Sequence, residues 1–211
     1  FATDAFWRGE AHRLIDRPAA LARLLEEAAA AGEILGVSVR ENLGLADGFF
    51  ENNKESQLKV IAAIRKYQPD IILCNAPNDR HPDHGRASKL VADAAFLSGL
   101  LRIETFDENG NPQKHWRPKV VYHYIQALFI KPDLVVDITG FMDKKMESVL
   151  AYGSQFYNPE SSEPSTFISS PEFLDMVKAR CIEFGTIIGA QYGEGFIANR
   201  YIGVKDLNDL K

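Results

Sequence analysis

The sequence predicts an α/β fold whose sheet is largely parallel and has helices on both faces. Segments with helical periodicity alternate with short, continuous apolar runs, as expected when helices connect parallel strands. Hydrophobic residues make up 45% and charged residues 25% of the 211 residues, values typical of a folded globular chain. A single domain commonly has about 100–200 residues, so we expect one domain over residues 1–211.

The first half of the chain contains two predicted helices and a strand. Residues 19–34 are rich in Ala, Leu and Glu, and Pro18 precedes them where a first-turn proline is tolerated. Residues 56–66 repeat apolar side chains at intervals of three and four, which predicts an amphipathic helix with Ser56 as its cap. Residues 71–74 form a continuous apolar run, which predicts a strand buried on both faces.

The second half repeats this alternation after the polar loop 75–80. Helical spacing returns from Pro82 to about Leu97, and β-branched or aromatic runs follow as strand candidates. A Ser-, Pro- and Glu-rich stretch, 158–170, is expected to be a surface loop. The remaining predicted elements are strands at 119–125 and 134–138 and helices at 142–152 and 171–188.

Charge, hydropathy and cysteine usage exclude several classes of protein. The formal net charge is −5 without a Lys/Arg cluster, which argues against a nucleic-acid partner. No apolar stretch approaches the roughly 18 residues of a membrane span, and the residues after Phe1 do not have the basic region followed by an apolar core that marks a secretory signal. We therefore expect no membrane partner. Cys74 and Cys181 are too isolated for a disulfide framework, and Cys74 lies in an apolar run. A buried, reduced thiol suits a cytoplasmic protein.

The segment Asn78–His84 contains the strongest candidate for chemistry. It leaves the carboxyl end of the predicted strand 71–74, where functional groups gather in α/β sheets. His81 and His84 are three residues apart at a helix start, so their side chains can share a face. Neutral imidazole binds zinc, but a catalytic zinc takes three protein ligands. The alternative interpretation is a helix cap, with Asp83 in the first turn.

The other histidines are weaker candidates. His123 lies within a predicted strand and is expected to be a hydrogen-bonded, partly buried residue. His115 is expected in a surface loop. His12 and Asp16 are four residues apart and could share a helical face, but arginines flank them, which favours a solvated surface.

Six segments of the chain carry a family resemblance: Asn42–Phe50, Arg65–Ile71, Asn78–His84, Lys131–Asp133, Tyr152–Phe156 and Tyr192–Phe196. Together they are similar to the PIG-L/LmbE-like deacetylases. The similarity is closest to the branch that deacetylates N-acetylglucosaminyl-malate in bacillithiol synthesis. It implies a Rossmann-like fold and a cytoplasmic, zinc-dependent hydrolase of a small amino-sugar conjugate. Many members form homo-oligomers.

The resemblance also implies a role for individual residues. His84 corresponds to a zinc ligand. His81 corresponds to the general acid or to the group that stabilises the tetrahedral intermediate, and Asp83 would orient His81 and keep it protonated. Tyr192 corresponds to a tyrosine that stabilises the oxyanion, although ordinary packing is its alternative. Arg80 is a candidate substrate contact.

One feature of the family is missing from the chain. Family members have a His-Pro-Asp-Asp tetrapeptide that supplies two further zinc ligands and the general base, and this sequence contains none. A single His cannot hold a catalytic zinc with useful affinity. We therefore expect the complete protein to have a first strand and helix, with this tetrapeptide, upstream of Phe1.

Two alternatives to a deacetylase stay open. The missing ligands favour a non-catalytic sugar-conjugate binding protein or an inactive subunit of the same fold. A different metallohydrolase, such as a phosphoesterase, is a weaker alternative because such sites gather more His and Asp ligands than this sequence offers.

Overall fold

The computed structural model describes residues 18–160 and 166–209 and confirms the predicted α/β fold class. Helices and strands occur close to the predicted bounds, because each predicted segment has one dominant periodicity. Within these residues the helices are α1 (Pro18–Leu35), α2 (Lys54–Tyr67), α3 (Pro82–Leu97), α4 (Met142–Leu150) and α5 (Pro171–Ile187), and the strands are β1 (Ile71–Cys74), β2 (Val120–Tyr124), β3 (Leu134–Asp137) and β4 (Gly193–Ala198).

The strands form a mixed sheet in the order β1-β2-β4-β3. β1 pairs with β2 in parallel, with Ile71 opposite Val120, whereas β2 pairs with β4 in the antiparallel direction, with Tyr122 opposite Ala198. The sheet is therefore less parallel than expected. β4 was not predicted, because Gly193, Glu194 and Gly195 interrupt the apolar pattern that marks a strand.

The chain divides into two compact units, and the first contains Asn42–Leu134 together with the residues from Gly195 onward. In this first unit α2 packs against α3, and α3 packs against β1 and β2. Ile72 and Cys74 of β1 are buried in that core, but Ile71 and Leu73 are 56% and 43% exposed. The prediction of a strand buried on both faces was wrong, because helices α2 and α3 cover one side of β1.

Both helices of the first unit begin at a polar cap. The Asn53 side chain accepts a hydrogen bond from the Ser56 amide at 3.0 Å, so Asn53 and not Ser56 caps α2. Ser56 is buried inside the first turn. α3 begins with Pro82 in the first turn and has His81 as its cap.

The second unit contains residues 18–41 and Val135–Glu194. Here α1 packs against α4. Two hydrogen bonds join α1 to the loop that contains Tyr152–Phe156. Glu27 on α1 accepts one from the Ser154 amide at 2.9 Å and one from the Ser154 hydroxyl at 2.6 Å. The prediction of one domain over residues 1–211 stays a prediction.

Two expectations about the whole chain can be compared with the described residues. Both cysteines are free and buried, as predicted for Cys74. None of the helices within residues 18–160 and 166–209 has the length and apolar character that a membrane crossing requires.

Candidate active site

The loop that leaves β1 brings two imidazoles together at the start of α3. The His81 backbone is extended, with φ −88° and ψ 128°, and its Nδ1 accepts a hydrogen bond from the Asp83 amide at 3.2 Å. The ring centroids of His81 and His84 are 5.3 Å apart. His81 is thus both a helix cap and a member of a histidine pair, so the two interpretations made from the sequence are compatible.

Asp79 orients the second imidazole. One of its carboxylate oxygens forms a short hydrogen bond with Nδ1 of His84, and the other accepts from the Leu128 amide at 2.7 Å. Burial acts to raise the pKa of Asp79, but the hydrogen bonds with His84 and Leu128 outweigh it and hold that pKa below its usual value. Asp79 is therefore a carboxylate that accepts from His84 Nδ1–H.

These hydrogen bonds give the two imidazoles opposite chemical characters. His81 accepts at Nδ1, so in its neutral form the ring proton is on Nε2, where it can be donated. His84 donates from Nδ1 to Asp79, so its Nε2 has a lone pair that can accept a proton or bind a metal ion. The donor, His81 Nε2–H, can polarise a carbonyl group, and the neighbouring acceptor, His84 Nε2, can bind the group that attacks this carbonyl.

The Asp83 carboxylate has a different partner from the one expected. It is 1% exposed and accepts from the Gly48 amide at 2.6 Å and from Arg86 at 2.8 Å. The hydrogen bond between Asp83 and His81 is donated by the Asp83 backbone amide and does not involve the Asp83 carboxylate. Asp83 therefore fixes the loop that contains Gly48 to the start of α3, and the expected orientation of His81 by this carboxylate is not observed.

The environment of His81 favours the neutral imidazole. Burial lowers the pKa of His81, and electrostatic interactions with His84 and with the Arg80 guanidinium lower it further; the nearby carboxylates Asp83 and Asp79 oppose this shift without reversing it. Asp83 acts in the expected direction on the pKa of His81, and its role in keeping His81 protonated stays a prediction. His81 can still donate from Nε2 as a neutral group.

The remaining two predicted site residues lie in different parts of the chain. Arg80 is exposed in the loop beside His81. Tyr192 belongs to the second unit, where it packs against the small core of Ile138, Met142 and Cys181. Its backbone carbonyl accepts from the Ile138 amide at 3.0 Å. The packing alternative for Tyr192 is thus observed, and its role in chemistry stays a prediction.

The described residues contain one imidazole, His84, that a carboxylate orients in the way usual for a metal ligand. A metal-bound imidazole usually donates its second ring N–H to a carboxylate, as His84 does to Asp79. Over residues 18–160 and 166–209, no group of three or more His, Cys, Asp or Glu side chains could hold a metal ion. A complete zinc site is therefore not formed by this part of the chain. His12 and Asp16 lie outside it.

A second polar cluster surrounds the buried side chain of His123. Nδ1 of His123 is 2.8 Å from Ser88 Oγ and 3.2 Å from Cys74 Sγ, and its Nε2 is 2.7 Å from Asn199 Oδ1. The thiol of Cys74, the imidazole of His123 and the amide of Asn199 together resemble the site of an enzyme that uses a thiol as its nucleophile. Burial, however, raises the pKa of Cys74 to about 12, and the thiol is inaccessible. The cluster is structural, as predicted for His123.

Sequence reasoning missed Asp79 and Gly48. Asp79 lies in the segment Asn78–His84. A carboxylate a few residues before a candidate metal-binding His indicates that it could orient that His by a hydrogen bond. Gly48 has φ 71°, a left-handed conformation that favours glycine, but its hydrogen bond to Asp83 joins residues 35 positions apart. No local pattern reports such a contact.

Histidines and buried carboxylates at the carboxyl end of a parallel strand are an arrangement typical of an α/β enzyme. Residues 6–95 match the sequence model of the PIG-L family, described as GlcNAc-PI de-N-acetylase. The conserved protein TT1542 from Thermus thermophilus is 30% identical and has a TM-score of 0.72, over 85% of this chain and 74% of that chain. The chain belongs to the PIG-L family, as its motifs indicated.

One similar protein is a deacetylase. The diacetylchitobiose deacetylase of Thermococcus kodakarensis is 29% identical over 178 residues, which are 82% of this chain and 61% of that protein. This chain thus spans less than two thirds of that curated relative.

Two solved structures show the fold alone. The N,N'-diacetylchitobiose deacetylase from Pyrococcus horikoshii is 23% identical with a TM-score of 0.68, over 84% of this chain and 63% of that chain. The 4-carboxy-2-hydroxymuconate hydratase GalB from Pseudomonas putida KT2440 is 22% identical with a TM-score of 0.71, over 95% of this chain and 82% of that chain.

Proposed function

We propose that the complete protein is a metal-dependent hydrolase that removes the acetyl group from an N-acetylglucosamine conjugate. Membership of the PIG-L family supports this proposal. The observation that favours it most is the histidine pair, in which His81 Nε2–H is a donor and His84 Nε2 is an acceptor. Amide hydrolysis uses a hydrogen-bond donor for the carbonyl oxygen and, next to it, a group that binds the attacking partner.

In the proposed reaction, water adds to the acetamide carbonyl, and one proton of the water passes to the nitrogen as the C–N bond breaks. The products are an amine and acetate, and the second proton of the water is released. His81 donates a hydrogen bond from Nε2 to the carbonyl oxygen as negative charge develops on it. Tyr192 is proposed as a second donor to that oxygen. Asp83 acts as a positioning residue through the Gly48 loop, in line with its hydrogen bonds.

His84 is proposed as a ligand of zinc. The Asp79 carboxylate supports this role because it fixes the tautomer with the lone pair on Nε2. When bound, zinc lowers the pKa of a coordinated water to about 7 and so supplies a nucleophile at neutral pH.

N-acetylglucosaminyl-malate, an intermediate of bacillithiol synthesis, is the proposed substrate, and the cytoplasm is the proposed location. Arg80 is exposed and directly precedes His81 in the chain, and a guanidinium matches the geometry of a carboxylate, which malate provides. N,N'-diacetylchitobiose is the competing substrate, because a relative is a deacetylase of that compound.

Acetate release from both compounds tests the proposal, with metal content measured on the same full-length preparation. We expect His84→Ala to lose zinc and activity. His81→Ala should lose about 100-fold or more in kcat, the range of a positioned general acid or hydrogen-bond donor. His115→Ala is the matched control because His115 is exposed. Absence of bound zinc and of acetate release from the wild type would contradict the proposal.

The second candidate function is non-catalytic binding of a sugar conjugate. The incomplete metal set within residues 18–160 and 166–209 favours it. It predicts that the wild type binds N-acetylglucosaminyl-malate with an affinity that a chelator does not change, and that no acetate is released. Homo-oligomerisation stays a prediction that size-exclusion chromatography with light scattering can test.

A further inference from the structure

A glutamine side chain binds the start of the loop that leads from β1 to the histidine pair. Oε1 of Gln126 accepts two hydrogen bonds of 3.2 Å, one from the Ala76 backbone amide and one from Nδ2 of Asn75. Ala76 is 0% exposed and Asn75 is 3% exposed, so both donors belong to buried residues. Gln126 thus supplies an acceptor to the first two residues after β1.

The chain segment that contains Gln126 also binds this loop further along. Two residues after Gln126, the Leu128 amide donates to Oδ1 of Asp79 at 2.7 Å. Two residues span at most about 7 Å of chain, so the two points of contact are close together. The segment 126–128 therefore binds the loop 75–79 at both of its ends.

The position of Asp79 determines the orientation of the candidate metal ligand. The second carboxylate oxygen of Asp79 is bonded to Nδ1 of His84. The groups of a working site have to be held within about 0.5 Å of the productive geometry, and the hydrogen bonds of the surrounding residues provide this precision. A shift of the loop that carries Asp79 therefore changes the direction of the lone pair on His84 Nε2.

We propose that Gln126 is a positioning residue for the deacetylase reaction. It fixes the start of the loop 75–79, and the loop places Asp79 where it orients the His84 imidazole. Without Oε1 of Gln126 the buried Ala76 amide loses its acceptor, which is costly, so the loop shifts until this amide finds another one. The inference rests on the proposed function and concerns a residue outside the histidine segment.

Kinetics of acetate release from N-acetylglucosaminyl-malate and N,N'-diacetylchitobiose test the inference on the full-length protein. The substitution Gln126→Leu keeps most of the side-chain volume and removes the acceptor. We expect its kcat to fall about tenfold, the lower end of the range for an outer partner of a metal ligand, with KM changed less than about twofold. A purely structural role predicts instead easier unfolding in urea with an unchanged kcat, and that result would overturn the inference.

Two further variants make this test specific to the acceptor. Gln126→Glu keeps an acceptor oxygen for both donors and should recover most of the wild-type kcat; a Gln126→Glu variant as slow as Gln126→Leu overturns the inference. Gln113→Leu is the matched control, because Gln113 is also half-buried in the first unit and donates to the Ala62 carbonyl at 3.0 Å. Gln126→Met, which also lacks the oxygen acceptor, replaces the leucine variant if that variant does not fold.

Hydrogen exchange at the Leu128 amide, followed by NMR, separates this inference from the proposed function. That amide donates to Asp79 and not to Gln126, so faster exchange in Gln126→Leu reports a shift of the loop at Asp79. If the wild type releases acetate and Gln126→Leu keeps its kcat, the inference is overturned while the deacetylase proposal stands. If the wild type releases no acetate, faster exchange in Gln126→Leu but not in Gln113→Leu still supports the positioning of Asp79, and unchanged exchange overturns it.

Discussion

The histidine segment of the first unit and the Tyr192 segment of the second are held in place by different physical means. Around His81 and His84, buried carboxylates accept hydrogen bonds from backbone amides and from side chains. At Tyr192, glycines allow close backbone packing: a Cβ atom built on Gly185 would lie 2.7 Å from the Tyr192 Cα.

The difference indicates which substitutions each segment tolerates. A hydrogen-bonded site depends on donors and acceptors, so removal of one carboxylate leaves buried partners unsatisfied. A closely packed site depends on volume, so a single added methyl group causes overlap even when no polar contact is lost. The predictions below test this distinction, from the largest expected effect to the smallest.

Gly185→Ala should have the largest effect on stability. The new Cβ would meet backbone atoms, which cannot rotate away as a side chain can, so we expect a loss of about 3 kcal/mol, at the upper end for overpacking. Urea unfolding measures the loss. Gly140→Ala is the control in the same unit, because no atom lies within 4 Å of its Cβ position. Equal stability of the two variants would contradict the packing argument.

Asp79→Ala should lower the proposed deacetylase activity by about 10–100-fold, the usual cost of removing the carboxylate that orients a metal-binding His. The physical reason is the loss of the acceptor for His84 Nδ1–H. Asp79→Asn retains an acceptor oxygen and should lose less. A readout independent of turnover is the ¹⁵N shift pattern of His84. An unchanged tautomer in Asp79→Ala would show that Asp79 does not orient the ring.

The buried thiols should make stability fall at alkaline pH. The folded-state pKa of Cys74 is raised to about 12 by burial, so above pH 9 the unfolded state ionises and the folded state does not. Stability should therefore fall by about 1.4 kcal/mol per pH unit from this residue. Burial also raises the pKa of Cys181.

Thermal unfolding between pH 8.5 and 10.5 measures this dependence. Cys74→Ala should flatten the alkaline slope relative to the wild type, and Cys181→Ala should flatten it less. In the native protein at pH 8 neither thiol should react with a thiol-specific reagent, whereas both should react in denaturant. A fast-reacting native thiol would refute the assignment of buried, neutral cysteines.

Arg86→Ala should have the smallest effect. The Arg86 side chain is 42% exposed, so its ion pair with buried Asp83 is partly screened and should contribute about 1 kcal/mol or less. Lys89→Ala removes an exposed ion pair with Asp93 on the same helix and is the matched control. If Arg86→Ala is no more destabilising than Lys89→Ala, the Gly48 loop is held by Asp83 alone.

The sequence by itself determined most helices and strands of this protein. Residues 82–97 were predicted as α3 with their observed bounds, because helical periodicity and a first-turn proline are local signals. The family was also determined by sequence, since ordered motifs are specific in a way that two histidines are not. The position of the histidine pair followed from the loop after β1.

The tertiary structure decided what those residues contact. In the structure the Asp83 carboxylate is hydrogen-bonded to the Gly48 amide and not to His81, and the His84 imidazole is hydrogen-bonded to Asp79. One side of β1 is exposed. The tertiary structure also added β4, whose glycines hide its strand character in the sequence. The Asp83–Gly48 hydrogen bond and the burial of β1 depend on residues far apart in the chain, which periodicity does not describe. The His84–Asp79 hydrogen bond spans only five positions, but it depends on side-chain geometry, which periodicity does not describe either.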